Sequence, residues 1–310
     1  MRLLNAKTLE FEFFFDEKIP PYLILSHTWG DEEVTYQDMR YLQRLKTLPK
    51  ALRNDPVDLF SISMSAGSTR DSEAAITATA GYRKILGTAR YARRKSLEYF
   101  WIDTCCIDKS SSSELQEAIN SMYRWYRQSA VCVVFLDDIG YSWDDDPLAY
   151  VLQQTRWIKR GWTLQELIAP HTLEFVDPGW TFIATKSTHF LSISKATGIP
   201  AEILRYGDLS GASVAQKMSW AAGRVTTRIE DRAYSLLGIC DVHMPMLYGE
   251  GHNAFFRLQE EILKKTSDDS IFAWKDESAT FSTYRGLLAR SPDEFSQYFL
   301  TPSRLFEITP

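Results

Sequence analysis

The sequence is poor in cysteine and contains no long hydrophobic run. Four of the 310 residues are cysteine, and none are spaced as C-x-x-C, which argues against a disulfide scaffold or a structural zinc site. The longest apolar run, residues 130–136, is much shorter than the roughly 20 residues that a membrane helix needs. Glu10 and Glu12 interrupt the first residues where a secretory signal would be apolar. We therefore expect a soluble cytoplasmic protein with no membrane contact.

The sequence also lacks an excess of basic residues. It has 35 Lys and Arg against 40 Asp and Glu, a formal net charge of −5, whereas a general nucleic-acid binder needs a basic face to displace counterions. The five histidines show neither H-E-x-x-H spacing nor a close pair, so no metal site is predicted. Apolar residues make up 45% and charged residues 24%, which is typical of a globular protein.

Three apolar runs predict strands of one sheet. They cover residues 21–30, 98–103 and 129–138, and they are apolar throughout rather than alternating, as in parallel strands that are covered on both faces. Amphipathic patterns over residues 80–95 and 115–128 predict helices between them. This order predicts a parallel α/β sheet that binds ligands beyond the carboxyl ends of its strands.

The chain divides into an α/β domain and an extension. Residues 1–180 are expected to form the α/β domain, with residues 42–79 as a surface insertion because prolines and small residues interrupt the periodicity there. Residues 181–310 are expected to form a mainly helical extension that packs on the domain, since no long linker separates them. Helices are predicted in it over residues 215–224, 227–239 and 252–265.

The loops after the first two strands carry the side chains that a ligand site would use. These are Ser26, His27, Trp29, Gly30, Asp103, Cys106 and Asp108. A tryptophan can stack on a planar ring, an aspartate can bind sugar hydroxyls, and a Cys106–His27 pair could act as nucleophile and base. Each also has an ordinary structural interpretation, as a core tryptophan, a helix cap or an inert buried thiol. The residues alone leave both interpretations open.

Three further motifs lie later in the chain. The segment 160–168 places one carboxylate, Glu166, near the end of the third strand, but Thr163-x-x-Glu166 also fits a capping box. Spacing alone favours the cap. Thr227-x-x-Glu230 predicts a second capping box. Residues 248–251, Tyr-Gly-Glu-Gly, lack the Lys-Ser/Thr of a phosphate loop, so a tight turn is predicted.

Several blocks together resemble the HET (heterokaryon incompatibility) domain of filamentous fungi. They are LSHTWGDEEV at 25–34, YFWIDTCCIDK at 99–109 and RGWTLQEL at 160–167, in the order of the family, with similar later segments at 219–222, 226–234 and 244–251. The HET domain in turn resembles TIR domains, which have a flavodoxin-like parallel sheet flanked by helices. Many TIR domains cleave NAD⁺ with one glutamate in a W-C-x-x-E-L stretch. Residues 162–167 have that layout, with Thr163 in place of the cysteine.

The resemblance implies an NAD⁺ hydrolase that cleaves the nicotinamide–ribose bond to give nicotinamide and ADP-ribose, linear or cyclic, in heterokaryon incompatibility and programmed cell death. It implies Glu166 as the catalytic group, and Trp162 as a binding residue together with the seven loop residues named above. NAD⁺ would be the substrate, with no other cofactor. The resemblance also implies self-association through residues 105–113 and an incompatibility partner protein. The alternative is a non-catalytic, self-associating cell-death signalling module in which Glu166 only caps a helix.

Overall fold

The fold centres on a seven-stranded mixed sheet. The computed structural model describes residues 1–15, 18–49, 56–70, 72–140, 148–276 and 285–299. The strands are β1 (Arg2–Asn5), β2 (Phe11–Phe13), β3 (Tyr22–His27), β4 (Tyr99–Trp101), β5 (Val131–Phe135), β6 (Leu173–Val176) and β7 (Phe182–Thr185). Their order in the sheet is β2-β1-β4-β3-β5-β6-β7.

Helices surround this sheet. Those in the described residues are α1 (Tyr36–Thr47), α2 (Pro56–Ala66), α3 (Glu73–Thr77), α4 (Ala80–Arg94), α5 (Asp103–Cys106), α6 (Ser112–Gln128), α7 (Leu148–Gln154), α8 (Arg156–Lys159), α9 (Thr163–Ile168), α10 (Lys186–Thr197), α11 (Ala201–Tyr206), α12 (Val214–Ser219), α13 (Asp231–Tyr234) and α14 (Asn253–Lys265). Two 3₁₀ helices follow, at Asp269–Phe272 and Pro292–Phe299. No helix among the described residues is long and apolar enough to cross a membrane.

The predicted α/β class is confirmed, but the sheet is not parallel throughout. The inner strands β4, β3, β5 and β6 are parallel, with Ser26 of β3 opposite Val134 of β5. The outer pairs β1–β2, β1–β4 and β6–β7 are antiparallel. All residues of β3 and β5 are buried, as their unbroken apolar sequence predicts. The flanking antiparallel strands have only three or four residues each, and their sequences carry no comparable signal.

The predicted helices over 80–95 and 115–128 are confirmed as α4 and α6. The Oγ atom of Ser111 accepts a hydrogen bond from the Glu114 amide at 3.3 Å, so Ser111 caps α6. The Glu114 carboxylate does not return the bond, because it forms an ion pair with Arg2 at 2.7 Å.

Residues 42–79, predicted to be a surface insertion, are largely helical where the structure describes them. They contain the end of α1 together with α2 and α3, and Leu42, Leu45 and Ile76 are buried in the core. The buried carboxylate of Asp38 on α1 accepts a hydrogen bond from Ser68 Oγ at 2.7 Å and pairs with Arg70. These contacts attach the segment to α1.

The region after residue 180 begins within the sheet rather than with helices. The predicted domain boundary at 180 falls between β6 and β7, which pair with each other. Beyond them, α14 matches its prediction, whereas α12 ends at Ser219 and α13 has only four residues. The extension is therefore mainly helical, but its helices are shorter than their sequence patterns indicate.

The capping box predicted at Thr227-x-x-Glu230 is wrong. Glu230 Oε1 instead accepts hydrogen bonds from the amides of Gly249 at 2.8 Å and Gly251 at 3.1 Å. Both glycines have positive φ, 105° and 60°, which a residue with a Cβ atom adopts only with strain. The tight turn predicted at 248–251 is thus confirmed, and a carboxylate occupies the place that a phosphate takes in a phosphate loop.

Gly238 allows close packing between the C-terminal region and α6. A Cβ atom added at Gly238 would lie 2.1 Å from Tyr123 Cβ, whereas one added at Gly211 would meet nothing within 4 Å. Gly238→Ala should therefore lower the free energy of unfolding by about 1–3 kcal/mol through overpacking. Urea denaturation of this variant, with Gly211→Ala as the matched control, measures the effect. Equal midpoints for the two variants would contradict the packing described here.

Candidate active site

A cavity of about 590 Å³ lies beside the carboxyl end of β3, within the range of roughly 300–1,000 Å³ that is usual for small-molecule sites. Its walls come from the loops after β3 and β4, from α6, from the α8–α9 segment and from the C-terminal region. The lining residues are Thr28, Trp29, Asp103, Ile107, Lys109, Leu115, Ile119, Met122, Arg156, Lys159, Arg160, Trp162, Glu166, Val225, Thr226, Thr227, Arg228, Asp231 and Tyr248. The sequence predicted the first two loops and Glu166 as parts of the site, but not the wall that residues 225–248 contribute.

Glu166 lies on α9, lines this cavity and is only 6% exposed. Its Oε2 atom accepts a short hydrogen bond from Ser26 Oγ at the end of β3. Ser26 Oγ in turn accepts from Trp157 Nε1 at 2.7 Å. Because an indole N–H can only donate, the serine proton is directed to the glutamate. Ser26 thus orients Glu166 from behind the cavity wall.

The capping interpretation of Glu166 is therefore wrong. Helix α9 has Trp162 at its N-cap and no side-chain capping bond. Thr163, which would be the cap in that motif, donates from Oγ1 to the carbonyl oxygens of Trp157 at 2.6 Å and Arg160 at 2.8 Å. Both side chains of the motif bond to partners outside the first turn of the helix.

Burial raises the pKa of Glu166 to about 7, and the nearby Asp103 carboxylate acts in the same direction. The hydrogen bond from Ser26 and the charge of Arg160 oppose this rise in pKa. Near neutral pH the carboxyl group is therefore divided between its protonated and ionised forms. A pKa in this range suits a group that acts on charge or protons at an active site.

Two buried cations hold α9 at its ends. Arg224 Nη1 donates to Thr163 Oγ1 and to the Arg160 carbonyl, both at 3.2 Å. Lys186 Nζ donates to the carbonyls of Leu167 at 3.0 Å and Ile168 at 3.2 Å, and also to Pro170, at the other end. A cation at a helix C-terminus is favoured by the helix dipole. Neither residue was predicted, because nothing in the local sequence links them to α9.

Trp29 and Asp103 lie together in the cavity wall. Trp29 is 37% exposed, and its Nε1 atom donates to Asp103 Oδ2 at 2.8 Å. Lys109 Nζ lies 3.6 Å and Arg160 Cζ 4.6 Å from the centroid of the Trp29 ring. Of the nine predicted site residues, the cavity brings together Trp29, Asp103, Trp162 and Glu166.

His27 and Gly30 do not line the cavity; His27 is buried and Gly30 is exposed. The buried imidazole of His27 has Nδ1 3.9 Å from Asp103 Oδ1 and Nε2 3.7 Å from Glu33 Oε1. Burial and the nearby Lys84 cation lower the pKa of His27. The Gly30 amide donates to the same Glu33 oxygen at 2.9 Å. These contacts shape the loop that carries Trp29.

Cys106 and Asp108 lie outside the cavity. Cys106 Sγ accepts from the Ile102 amide at 3.4 Å, and the residue lines a separate depression. Asp108 Oδ1 accepts from Gln37 Nε2 at 2.7 Å and from the Ser110 amide at 3.0 Å, so it organises its own loop. The ring nitrogens of His27 approach carboxylates rather than Cys106, which leaves the dyad hypothesis without support. Within the described residues, no group of three or more His, Cys, Asp or Glu could hold a metal.

The sequence matches two described families and is similar to a known protein. Residues 22–143 match the family described as heterokaryon incompatibility protein (HET). The chain belongs to the HET domain family. It is also 44% identical over 263 residues to the vegetative incompatibility protein HET-E-1 of Podospora anserina, a match that covers 83% of this chain and 17% of that protein. Residues 253–303 match a domain of unknown function (DUF8212). No solved structure matches.

The cavity extends beyond the segment that matches the HET family. Ser26, Trp29, Asp103 and Lys109 lie within residues 22–143, whereas Glu166 follows them in the chain. The described site is therefore formed jointly by the HET segment and the region after it.

The raised pKa of Glu166 makes protein stability depend on pH. In the unfolded chain the carboxyl has its ordinary pKa of 4.5, but in the folded chain its pKa is about 7. Stability should therefore fall as the pH rises from about 4.5 to about 7, by about 3 kcal/mol for this group. In Glu166→Gln this loss should be absent, so the variant should be more stable than the wild type at about pH 8, and equal to it at about pH 4.

Urea denaturation between pH 4 and 9 tests this expectation. Glu261→Gln is the matched control, because Glu261 is partly exposed on α14 and pairs only with Lys264, three residues away. A constant stability difference between Glu166→Gln and wild type across the range would show that the carboxyl is not perturbed.

Proposed function

We propose that this HET domain is a TIR-like NAD⁺ hydrolase that releases nicotinamide and acts in heterokaryon incompatibility and programmed cell death. The observation that carries the proposal is the Glu166 carboxyl, which faces a 590 Å³ cavity beside the end of β3. The relative's name supports the biological role, since it is a vegetative incompatibility protein.

The order of the parallel strands supports the TIR-like part of the proposal. Counted along the chain, β3, β4, β5 and β6 are the first to fourth parallel strands, and their order in the sheet is second, first, third, fourth. A flavodoxin-like sheet begins with the same order and binds its ligand where the order reverses, between the first and third strands. Here that point is the end of β3, where Ser26 meets Glu166.

The chemistry suits a single carboxylate. Cleavage of the nicotinamide–ribose bond passes through an oxocarbenium-like state, and the ionised Glu166 stabilises that positive charge or holds the ribose hydroxyls. Nicotinamide leaves as a neutral base, so no second carboxylic acid is needed to protonate it. The Ser26 hydroxyl fixes the carboxylate oxygen that it bonds, and a hydrogen bond from Tyr126 also orients the carboxylate.

One aromatic side chain and one acid are assigned to substrate binding. Trp162 lines the cavity, and in the described part of the chain no cation or aromatic ring lies over it, so we assign it to stack on nicotinamide. Trp29 suits this role less well, because Lys109 and Arg160 already lie against its ring. Asp103 lines the same cavity and is assigned to the ribose hydroxyls.

Purified protein incubated with NAD⁺ should release nicotinamide, as measured by chromatography. Glu166→Gln should lower the rate by at least about 100-fold, because the amide cannot carry the stabilising charge. Glu261→Gln on α14 is the matched control and should retain full activity. The assay is run over a range of protein concentrations with light scattering, so that the assembled state is included. Undiminished turnover in Glu166→Gln, or no turnover in the assembled wild type, would overturn the proposal.

The activity should rise with pH through the pKa of Glu166. Since the ionised form is the active one, kcat should increase between about pH 6 and 8 with a midpoint near 7. The Ser26 hydrogen bond lowers this pKa, so Ser26→Ala should move the midpoint to higher pH. Measuring kcat against pH for both proteins tests this. An unchanged midpoint would mean that a different group controls the profile.

The second candidate function is a self-associating signalling module without catalysis. It is favoured by the sheet edge: β2 is a three-residue edge strand, and Phe13 on it is 58% exposed. An exposed apolar edge can pair with a second chain. Under this hypothesis Glu166→Gln, if it folds, retains its ability to kill cells, whereas the hydrolase hypothesis requires that killing is lost.

A further inference from the structure

The cavity carries more positive than negative side chains. Five cations line it, Lys109, Arg156, Lys159, Arg160 and Arg228, against three acids, Asp103, Glu166 and Asp231. Only one of the five, Arg156, has a carboxylate within ion-pair distance among the described residues, at 2.9 Å from Asp137 and 3.6 Å from Asp138. The other four form no ion pair with any residue that the structure describes, although acids lie in the same cavity.

The acids of the cavity are held by neutral donors instead. Asp103 accepts from the Trp29 indole at 2.8 Å, and Asp231 accepts from the Tyr248 hydroxyl at 2.9 Å. Glu166 accepts from the Ser26 hydroxyl. None of these bonds is an ion pair, so the cations remain open to an anionic partner. Burial lowers the pKa of Lys109, and the Asp103 charge opposes this by stabilising the charged ammonium.

The cations lie against aromatic rings. Lys109 and Arg160 share the ring of Trp29, and Arg228 Cζ lies 4.3 Å from the centroid of the Tyr248 ring. Cation–π contacts orient a cation and attract it to the ring, but they do not remove its charge. Arg160 Nε is also buried without a hydrogen-bond partner among the described residues. Lys109 and Arg160 thus place two positive charges against the Trp29 ring, and Arg160 Nε is an unused hydrogen-bond donor among the described residues. This arrangement favours the binding of an anion.

We propose that Lys109, Lys159, Arg160 and Arg228 form a subsite for the pyrophosphate of a nucleotide ligand. Guanidinium groups match phosphate oxygens in bidentate geometry, and the lysine ammonium adds a point charge. The inference rests on the proposed function for its position beside Glu166, and it narrows the substrate class to dinucleotides with a diphosphate bridge. A nucleoside without phosphate, such as nicotinamide riboside, lacks the groups that this subsite binds.

Binding of inorganic pyrophosphate and of ADP-ribose, measured by calorimetry at fixed ionic strength, tests the subsite. Lys109→Met should weaken both by about 10-fold or more, since charge-assisted hydrogen bonds contribute about 1.5–3 kcal/mol. Lys109→Arg keeps the charge and should retain most of the affinity. Arg156→Met is the matched control: it removes a cation from the same cavity wall, but one that Asp137 and Asp138 already neutralise. It should change the affinity by less than about 3-fold, in line with the small contribution of a paired surface cation.

Three outcomes would overturn the subsite: no binding of pyrophosphate to the wild type, equal weakening by Arg156→Met and Lys109→Met, or full affinity in Lys109→Met. Equal weakening of pyrophosphate binding would indicate that the anion responds to the summed positive charge of the cavity and not to contacts with particular side chains. The same titrations with Glu166→Gln separate this inference from the hydrolase proposal. Pyrophosphate binding without any NAD⁺ turnover in the wild type rejects the hydrolase and keeps the subsite. NAD⁺ turnover with an unchanged KM in Lys109→Met rejects the subsite alone.

Discussion

The site depends on one chain of hydrogen bonds, from the Trp157 indole to the Ser26 hydroxyl and on to the Glu166 carboxylate. It joins the helices α8 and α9 to the end of β3, so the position of one strand determines where the carboxyl group lies. When Glu166 is ionised, each direction in the chain is fixed, because the indole can only donate and an ionised carboxylate can only accept. A serine suits the middle position, since its hydroxyl does both.

The surroundings of α9 explain why the Glu166 carboxyl can be protonated or ionised near neutral pH. The buried cations Arg224 and Lys186 bond mainly to backbone carbonyls at the ends of the helix, and neither forms an ion pair with Glu166. Had a buried cation paired directly with this carboxylate, its pKa would fall and the group would stay ionised. The protein thus uses its cations to hold the helix in place, while burial sets the acidity of Glu166.

The sequence predicted the elements whose signals are local, and these are the inner strands β3, β4 and β5 with the helices α4 and α6. It did not predict the edge strands, because three or four residues are too few to show a period. The capping motif at Glu166 was misleading for a different reason. Its true partner, Ser26, lies 140 residues away in the chain and competes successfully for the carboxylate. Spacing within a motif cannot reveal such a competitor, nor which cations of a cavity remain unpaired.

The hydrogen bonds from the Gly249 and Gly251 amides to Glu230 affect how much of the chain must be transferred together for the site to remain complete. They hold Tyr248 against a cavity whose opposite wall comes from residues near the start of the chain. A genetic exchange that moved residues 22–143 alone into another protein would carry Trp29 and Asp103, but it would leave Glu166 and this turn behind. The smallest unit that can be transferred with its site intact is therefore about twice as long as the segment by which the family is recognised.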